Sequence, residues 1–388
     1  MRAPQDRDVA IVGAGPAGSA LARRLALQGC RVALIERSRF DAPRIGESLA
    51  PGIKPALQAI DAWDAFLALG PLPSWGVSAH WGAGDGPQTH SHIFSAHGCG
   101  WHVDRRRFDR MLAQRAVDAG AELRVGAAVR DVQAVGDDWR LAVKTDDGAT
   151  ASLCARVVVD ATGRRALLGR KLGATRIAFD RLVGVAAHLR LPDRDARQHL
   201  RVEAIASGWW YFAPLPEGAA AEPDAILAML MTDADLCADA RLQRPGPWLA
   251  HLRESAFGRA LVRANEAIPT LRTHCAGSHR MRRDPASMQA SMQARWLAVG
   301  DAALAVDPIS GSGVPRALRS AKAAAATVLA MLRGETSVAA HERERDVECT
   351  RYLFERAAYY ADEDRWPEAT FWRRRAPAPE APASTRAA

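Results

Sequence analysis

No apolar run in this chain approaches the roughly 18 residues that a membrane-spanning helix needs, so no membrane span is expected. Lysine is nearly missing, occurring only at Lys54, Lys144, Lys171 and Lys322, so arginine carries the net charge of +8. The arginines are spread along the chain rather than clustered. That argues against nucleic acid as a partner and leaves a general attraction for anionic substrates or acidic partners. Cys30, Cys99, Cys154, Cys237, Cys275 and Cys349 are scattered, with no C-x-x-C and no metal spacing. They read as free thiols with a structural role, in a reducing, cytoplasmic compartment. Met1 to Arg7 form a short polar lead into an apolar segment, which is not the pattern of a signal peptide. His80, His90, His92, His97 and His102 fall close together, but Gly and Pro interrupt the span and no acid partner supplies metal spacing. No metal is expected, although one of these histidines could bind substrate or relay a proton. No internal repeat is visible.

What the chain has is 388 residues, enough for roughly two to three domains, and a globular hydrophobic share of 48%. Its most organised stretch runs from Asp8 to Glu36. Val9 to Val12 form a short apolar run bounded by glycine, the mark of a strand buried on both faces. From Ala17 to Leu27 apolar residues recur at helical spacing, and Gly29 stops the run; Arg31 to Ile35 form a second strand ending in Glu36. Gly13 permits the tight strand-to-helix turn, Gly15 lets backbone approach a pyrophosphate, and Gly18 lets the helix pack closely on the sheet. Free N–H groups and the positive helix end then meet the phosphates. Glu36 stands where a carboxylate accepts hydrogen bonds from an adenosine ribose, which favours FAD or NAD over a 2′-phosphorylated nucleotide.

Further along, Ile53 to Leu69 reads as helical, and Pro71 to Gly100 as short strands of a second layer, among them Trp75 to Trp81. An amphipathic helix follows Asp104 and runs to about Gly120. Its opening run Arg105-Arg106-Arg107 reads, on its own, as a solvated helix start. Glu122 to Val125 is a strand of the nucleotide sheet, Val129 to Val135 pairs with Trp139 to Lys144, and Ala155 to Val159 is a buried strand ending at Asp160-Ala161-Thr162-Gly163-Arg164. Arg176 to Met231 is strand-like and Thr232 to about Ala267 mainly helical. Arg295 to Val299 is a last buried strand before Gly300-Asp301. Asp307-Pro308-Ile309-Ser310-Gly311-Ser312-Gly313 then opens an alanine-rich helix to about Leu332. Arg343 to Phe371 holds one or two more helices.

Four stretches, the Gly13–Glu36 unit, Val103-Asp104-Arg105-x-x-Phe108-Asp109, Asp160 to Arg164, and Gly300-Asp301 with Asp307 to Gly313, together resemble the superfamily of FAD-dependent monooxygenases and flavin-dependent halogenases. The resemblance covers about Asp8 to Leu332. It implies an α/β fold in which a Rossmann-type FAD-binding domain is interrupted by a mixed-sheet substrate domain and followed by C-terminal helices. The boundaries expected are 1–74, 98–175 and 285–342 for the FAD domain, 75–97 and 176–284 for the substrate domain, 343–375 for a helical segment, and 376–388 for a disordered tail. Non-covalent FAD is implied, with Gly13, Gly15, Pro16, Ala17, Gly18, Glu36, Arg37, Arg44, Glu47, Ser48, Arg105, Val129, Asp160, Gly163, Gly300, Asp301, Pro308, Gly311, Ser312 and Gly313 around it. Arg105 is expected to reach the flavin, Asp160 and Gly163 to lie near the adenine side, and Asp301 to bind the ribityl hydroxyls. The glycines after Pro308 let backbone N–H groups face the flavin's pyrimidine edge.

Two features narrow the branch. Gly46-Glu47-Ser48 is typical of halogenase-like and reductase-like members, and Trp209-Trp210-Tyr211-Phe212-Ala213-Pro214 resembles the halogenases' tryptophan-rich strand without matching W-x-W-x-I-P. At period two, one of the pairs Trp209/Tyr211 and Trp210/Phe212 lines a cavity and the other packs in the core. Trp209, Trp210 and Tyr211 are therefore the substrate-cavity candidates; no catalytic residue is assigned. The lysine that halogenases carry after the Gly-Glu-Ser loop is missing from Ser74 to Trp81. The end, Tyr359-Tyr360-x-x-Glu363-x-x-Trp366 to Trp372, resembles flavoproteins that hydroxylate tryptophan during maturation of quinone-containing enzymes. The expectation is a monooxygenase in which a C4a-hydroperoxyflavin, formed with dioxygen, hydroxylates an electron-rich aromatic substrate, indole-like and either small or borne on a peptide or protein. The alternatives are a reductase or dehydrogenase of an isoprenoid or other apolar substrate, a halogenase, and a flavin-binding maturation partner of another protein. With no second glycine fingerprint, electrons come from visiting NAD(P)H or from a separate flavin reductase.

Overall fold

The computed structural model describes residues 6–84, 86–192, 195–220, 224–265, 269–284, 295–335 and 338–376. Four parallel strands, Glu122–Arg124, Val32–Ile35, Asp6–Val12 and Thr150–Asp160, lie side by side in that order. The last of them is long enough to serve two neighbours. Its first half pairs antiparallel with Asp138–Thr145, which in turn pairs with Ala127–Val135; its last residues pair parallel with Trp296–Ala298. Val9, Ala10, Ile11, Val157, Val158 and Val159 are fully buried, because apolar layers cover both faces and leave no solvated side for alternation. The first helix, Pro16–Ala26, and the late helix, Gly313–Leu332, pack together on one of those faces.

A second seven-stranded sheet runs Arg272–Cys275, Leu182–Arg190, Ala225–Asp233, Gly208–Pro214, His199–Ile205, Gly76–His80 and Gln88–Ser91. It is mixed: His199–Ile205 and Gly76–His80 run parallel, whereas its other neighbours are antiparallel. One face is sealed by the helices Pro245–Glu254 and Ala256–Ala264 through Trp248, Leu252 and Leu261. Ser48–Leu49, Gly100–His102 and Leu72–Ser74 form a small sheet of their own, so Leu72–Ser74 does not join the second layer. The continuous helix expected over Ile53 to Leu69 is two short ones, Ile53–Gln58 and Trp63–Leu67, interrupted at Asp61, which adopts φ +51°. The helix Val338–Ala361 and the short turn Thr370–Arg373 return to the second sheet, where Tyr360, Phe371 and Trp372 pack against Trp209 and Trp81. From residue 377 the tail expected to be disordered lies outside the described residues, as do 285–294 at a predicted domain boundary. Among the described residues no helix is long and apolar enough to cross a membrane, and no group of three His, Cys, Asp or Glu is placed to hold a metal. All six cysteines are free.

Candidate active site

The strand Asp6–Val12 ends at Gly13, whose φ of +107° and N–H to Ile35 carbonyl bond of 2.7 Å turn the chain into the first helix. A methyl group on Gly13 would lie 2.2 Å from the Ala161 carbonyl oxygen, and one on Gly18 only 1.9 Å from that of Gly13. Both glycines are therefore demanded by the protein's own packing. Gly15 differs: nothing lies within 4 Å of a methyl group placed there, because it faces an open trough. Pro16 and Ala17 follow on the trough wall.

Glu36 borders this turn. One carboxylate oxygen accepts the Ala14 N–H at 2.9 Å, and the other accepts the Ser38 N–H, the Ser38 hydroxyl and Arg44. The group expected to meet a ribose is thus also the clamp of the phosphate turn. A carboxylate offers about four acceptor sites, and the oxygen bonded to Ala14 keeps one of its two. Arg44 bridges Glu36 to Asp109, and Arg105 pairs with Asp109 while donating to the carbonyls of Ile45 (2.8 Å) and Gly46 (3.2 Å). Arg105 is turned inward to hold the Gly46-Glu47-Ser48 loop and borders the trough, so the solvated-face reading of the arginine run does not describe it.

Within that loop Ser48 faces the trough and Glu47 does not. Glu47 is 4% exposed and accepts the Gly46 N–H. Burial pushes its carboxyl up to about 7, against the downward pull of backbone donors and the Arg105 charge. A carboxyl raised in the folded state holds its proton while the unfolded chain loses it, so stability falls as pH rises from about 4.5 to about 7. Glu47→Gln removes that slope and leaves the variant more stable than wild type at pH 8 by about 3 kcal/mol. Urea unfolding at pH 5 and pH 8 checks this; parallel pH profiles for the two proteins would rule it out.

Asp160 is fully buried, accepting from Thr162 N–H and hydroxyl and from Gly169 N–H. It caps the next turn and does not itself border the trough, whereas Ala161, Thr162, Gly163, Arg164 and Arg165, which follow it, do. Gly300 packs under the first helix, where a methyl group would sit 2.8 Å from the Ala17 Cβ. Asp301 borders the trough and pairs with Arg316 at 2.9 Å and Arg164 at 3.5 Å. Pro308, Gly311 and Gly313 border it too; Ser312 does not, and instead approaches the Ser310 hydroxyl. Gly311, at φ +57°, and Gly313 face open space, with the late helix beginning at Gly313. Arg37 and Val129 complete the near end; Gly18, Glu47, Asp160, Gly300 and Ser312 are the members of the predicted FAD set that stand behind the wall.

Gly15 and Gly313 open onto the same cavity, of about 1740 Å³, well above the roughly 300–1,000 Å³ of a small-ligand pocket. Beyond the late helix it continues over the second sheet. There Ala79, Val202, Tyr211 and Met229 are paired neighbours across four strands, with Val77, Leu200, Trp209 and Met231 on the same face. Trp209 is fully buried and underlies the floor, 6.5 Å edge-on from Trp81. The Tyr211 hydroxyl accepts the Ser48 N–H at 3.2 Å, joining floor to loop, and burial raises its pKa well above the ordinary value. Trp210 faces the opposite way, stacked on Phe212 at 5.6 Å and edge-on to Trp248 at 5.1 Å, so it is a core residue and not a cavity one. His90 and His92 border the cavity, whereas His102 is fully buried, with its pKa pushed down to about 3 by burial. Tyr359, singled out above only for the C-terminal resemblance, borders the cavity, and Trp81, Met229, Met231 and Asp362 are cavity residues that motif reading missed. Trp81 alone had a local signal, lying in period-two step with Val77 and Ala79.

The residues present fit FAD. A glycine with free space and a helix start suit the phosphates, a carboxylate with a spare acceptor site suits the ribose, and a second helix start lies at the far end of one trough. Comparison with known proteins agrees. Residues 6–348 match the family described as FAD binding domain. LodB of Marinomonas mediterranea, named as an FAD-dependent oxidoreductase, is 29% identical over 371 residues, covering 95% of this chain and 96% of LodB. The flavin-dependent halogenase CmlS superposes with a TM-score of 0.82 at 26% identity, over 98% of this chain and 68% of CmlS. The peptidyl tryptophan dihydroxylase QhpG, essential for tryptophylquinone cofactor biogenesis, gives 0.75 at 25% identity, over 95% of this chain and 78% of QhpG. A trough built for an extended dinucleotide and a family match across most of its length lead to one conclusion: this chain belongs to the FAD binding domain family and is an FAD-dependent oxidoreductase.

Proposed function

We propose that the protein is a monooxygenase that hydroxylates an electron-rich aromatic ring, indole-like and either free or borne on a peptide. The observation that carries this reading is the floor beyond the flavin end of the trough, where Trp81, Trp209, Tyr211, Met229 and Met231 surround a cavity suited to a flat apolar ring. Bound FAD supplies, when reduced, a ring that reacts with dioxygen. The chain's share is to hold substrate over that ring, to keep water away, and to set N–H groups at the start of the late helix against the negative charge of the reduced ring. The similarity to QhpG, whose name describes peptidyl tryptophan dihydroxylation, supports the substrate class.

Halogenation is the second reading, favoured by the similarity to CmlS. Against it, Lys171 is the one lysine bordering the cavity among the described residues, and it stands beside Arg165 and Leu167 on the nucleotide side. Anaerobic photoreduction, then dioxygen with indole, tryptophan or a tryptophan-containing peptide, in buffer with and without bromide, tests both. Oxygen-18 gas appearing in a hydroxylated product is the expected result. A brominated product, or substrate recovered unchanged from every mixture, would reject the monooxygenase.

A further inference from the structure

The helix Val338–Ala361 presents three side chains at successive turns, Tyr352, Arg356 and Tyr360, and all three close on one residue. That residue is Asp307, fully buried at the head of the loop Pro308–Gly313. The Asp307 N–H donates to the Tyr352 hydroxyl at 3.0 Å, Arg356 approaches its carboxylate at 3.5 Å, and the Tyr360 hydroxyl donates to the same oxygen at 2.9 Å. The other carboxylate oxygen accepts the Ile309 N–H at 3.0 Å, which shapes the loop itself. Tyr360 has a second partner: the Trp209 indole N–H donates to its hydroxyl at 3.1 Å. One phenol therefore joins the underside of the substrate floor to the loop that faces the flavin.

We propose that this helix is part of the flavin machinery, with Tyr360 the positioning residue that ties the Asp307 loop to Trp209. Each link is buried and polar, so losing one leaves a partner without its bond in a place water does not reach. Arg356 also pairs with Asp180 at 3.2 Å, which anchors the clasp to the strand Leu182–Arg190 through the Asp180 bond to the Leu182 N–H. The inference rests on the FAD assignment and not on oxygenation, so its test uses no substrate.

Three properties of the full FAD-loaded protein are measured: the FAD dissociation constant, the visible circular dichroism of the flavin, and its midpoint potential. Tyr360→Phe keeps the ring that packs between Trp81, Phe371 and Trp372, and it should weaken FAD about tenfold and change the dichroism. Trp209→Phe, which removes the indole N–H that donates to the Tyr360 hydroxyl, should change the dichroism in the same direction. Asp307→Asn replaces by an amide a carboxylate whose two oxygens accept from Tyr360 and Ile309, and should shift the midpoint potential. Phe354→Ala, an exposed position on the same helix, is the control and should match wild type. Should Tyr360→Phe fail to fold, Tyr352→Phe is the second variant, expected to weaken FAD several-fold. Variants that match the control in all three properties, or that lose only melting temperature, would overturn the clasp. A protein that shows these shifts yet oxygenates no aromatic ring keeps the clasp and loses the proposed reaction.

Discussion

Gly15→Val is expected to give a folded, colourless protein whose FAD affinity is lower by about a thousandfold or more, some 4 kcal/mol. The reason is local. No protein atom lies within 4 Å of a methyl group at this position, so the side chain costs the fold little. It fills instead the open trough at the start of the first helix, where the phosphates are expected to meet free N–H groups. Gly18→Val forms the contrast, since its Cβ would lie 1.9 Å from a backbone oxygen and the first helix would have to leave the sheet. The two variants should separate cleanly in thermal melts and visible absorption. Gly15→Val should keep the far-ultraviolet spectrum and lose the flavin bands, while Gly18→Val should lose both. A yellow Gly15→Val protein with a full complement of FAD would put the phosphates elsewhere.

How much of this could be read from the chain depends on the range of each interaction. Gly13, Gly15 and Gly18 were legible because their tasks are set by near neighbours: a turn, a helix start, a helix lying on its own strand. Glu36 was legible as the acid that ends the second strand. Its capture of Ala14 was not, because that bond depends on how two parallel strands are set against each other. Asp160 shows the converse. A motif marks it as adjacent to the cofactor, yet its carboxylate turns back to satisfy Thr162 and Gly169, and the neighbouring Gly163 and Arg164 reach the trough. Met229, Met231, Leu200 and Val202 carry no motif at all. They become cavity residues only through the pairing of three strands, and a shift of one residue in register would have put their neighbours there instead. Likewise Tyr352, Arg356 and Tyr360 fall at helical spacing, but their shared target, Asp307, lies in a distant loop that spacing does not name.

Trp209 and Trp210 make the sharpest use of that register, because adjacent residues of one type are predicted to fail in different ways. Trp210 is sealed between Phe212 and Trp248, away from the cavity. Trp210→Ala should therefore cost about 3–5 kcal/mol of unfolding free energy while the FAD-loaded protein that remains binds indole as wild type does. Its indole nitrogen has no hydrogen-bond partner, so Trp210→Phe loses only packing and should cost less than the alanine change. Trp209→Phe, by contrast, deprives the Tyr360 hydroxyl of a donor and alters the underside of the floor. Besides its cost in packing, it should weaken the flavin spectral response to indole severalfold, which Trp210→Phe should not. Urea unfolding gives the first quantity and indole titration of the flavin absorbance the second. If Trp210→Phe altered the titration and Trp209→Phe left it untouched, the substrate would lie on the helical side of the sheet, and the cavity over Tyr211 and Met229 would need another purpose.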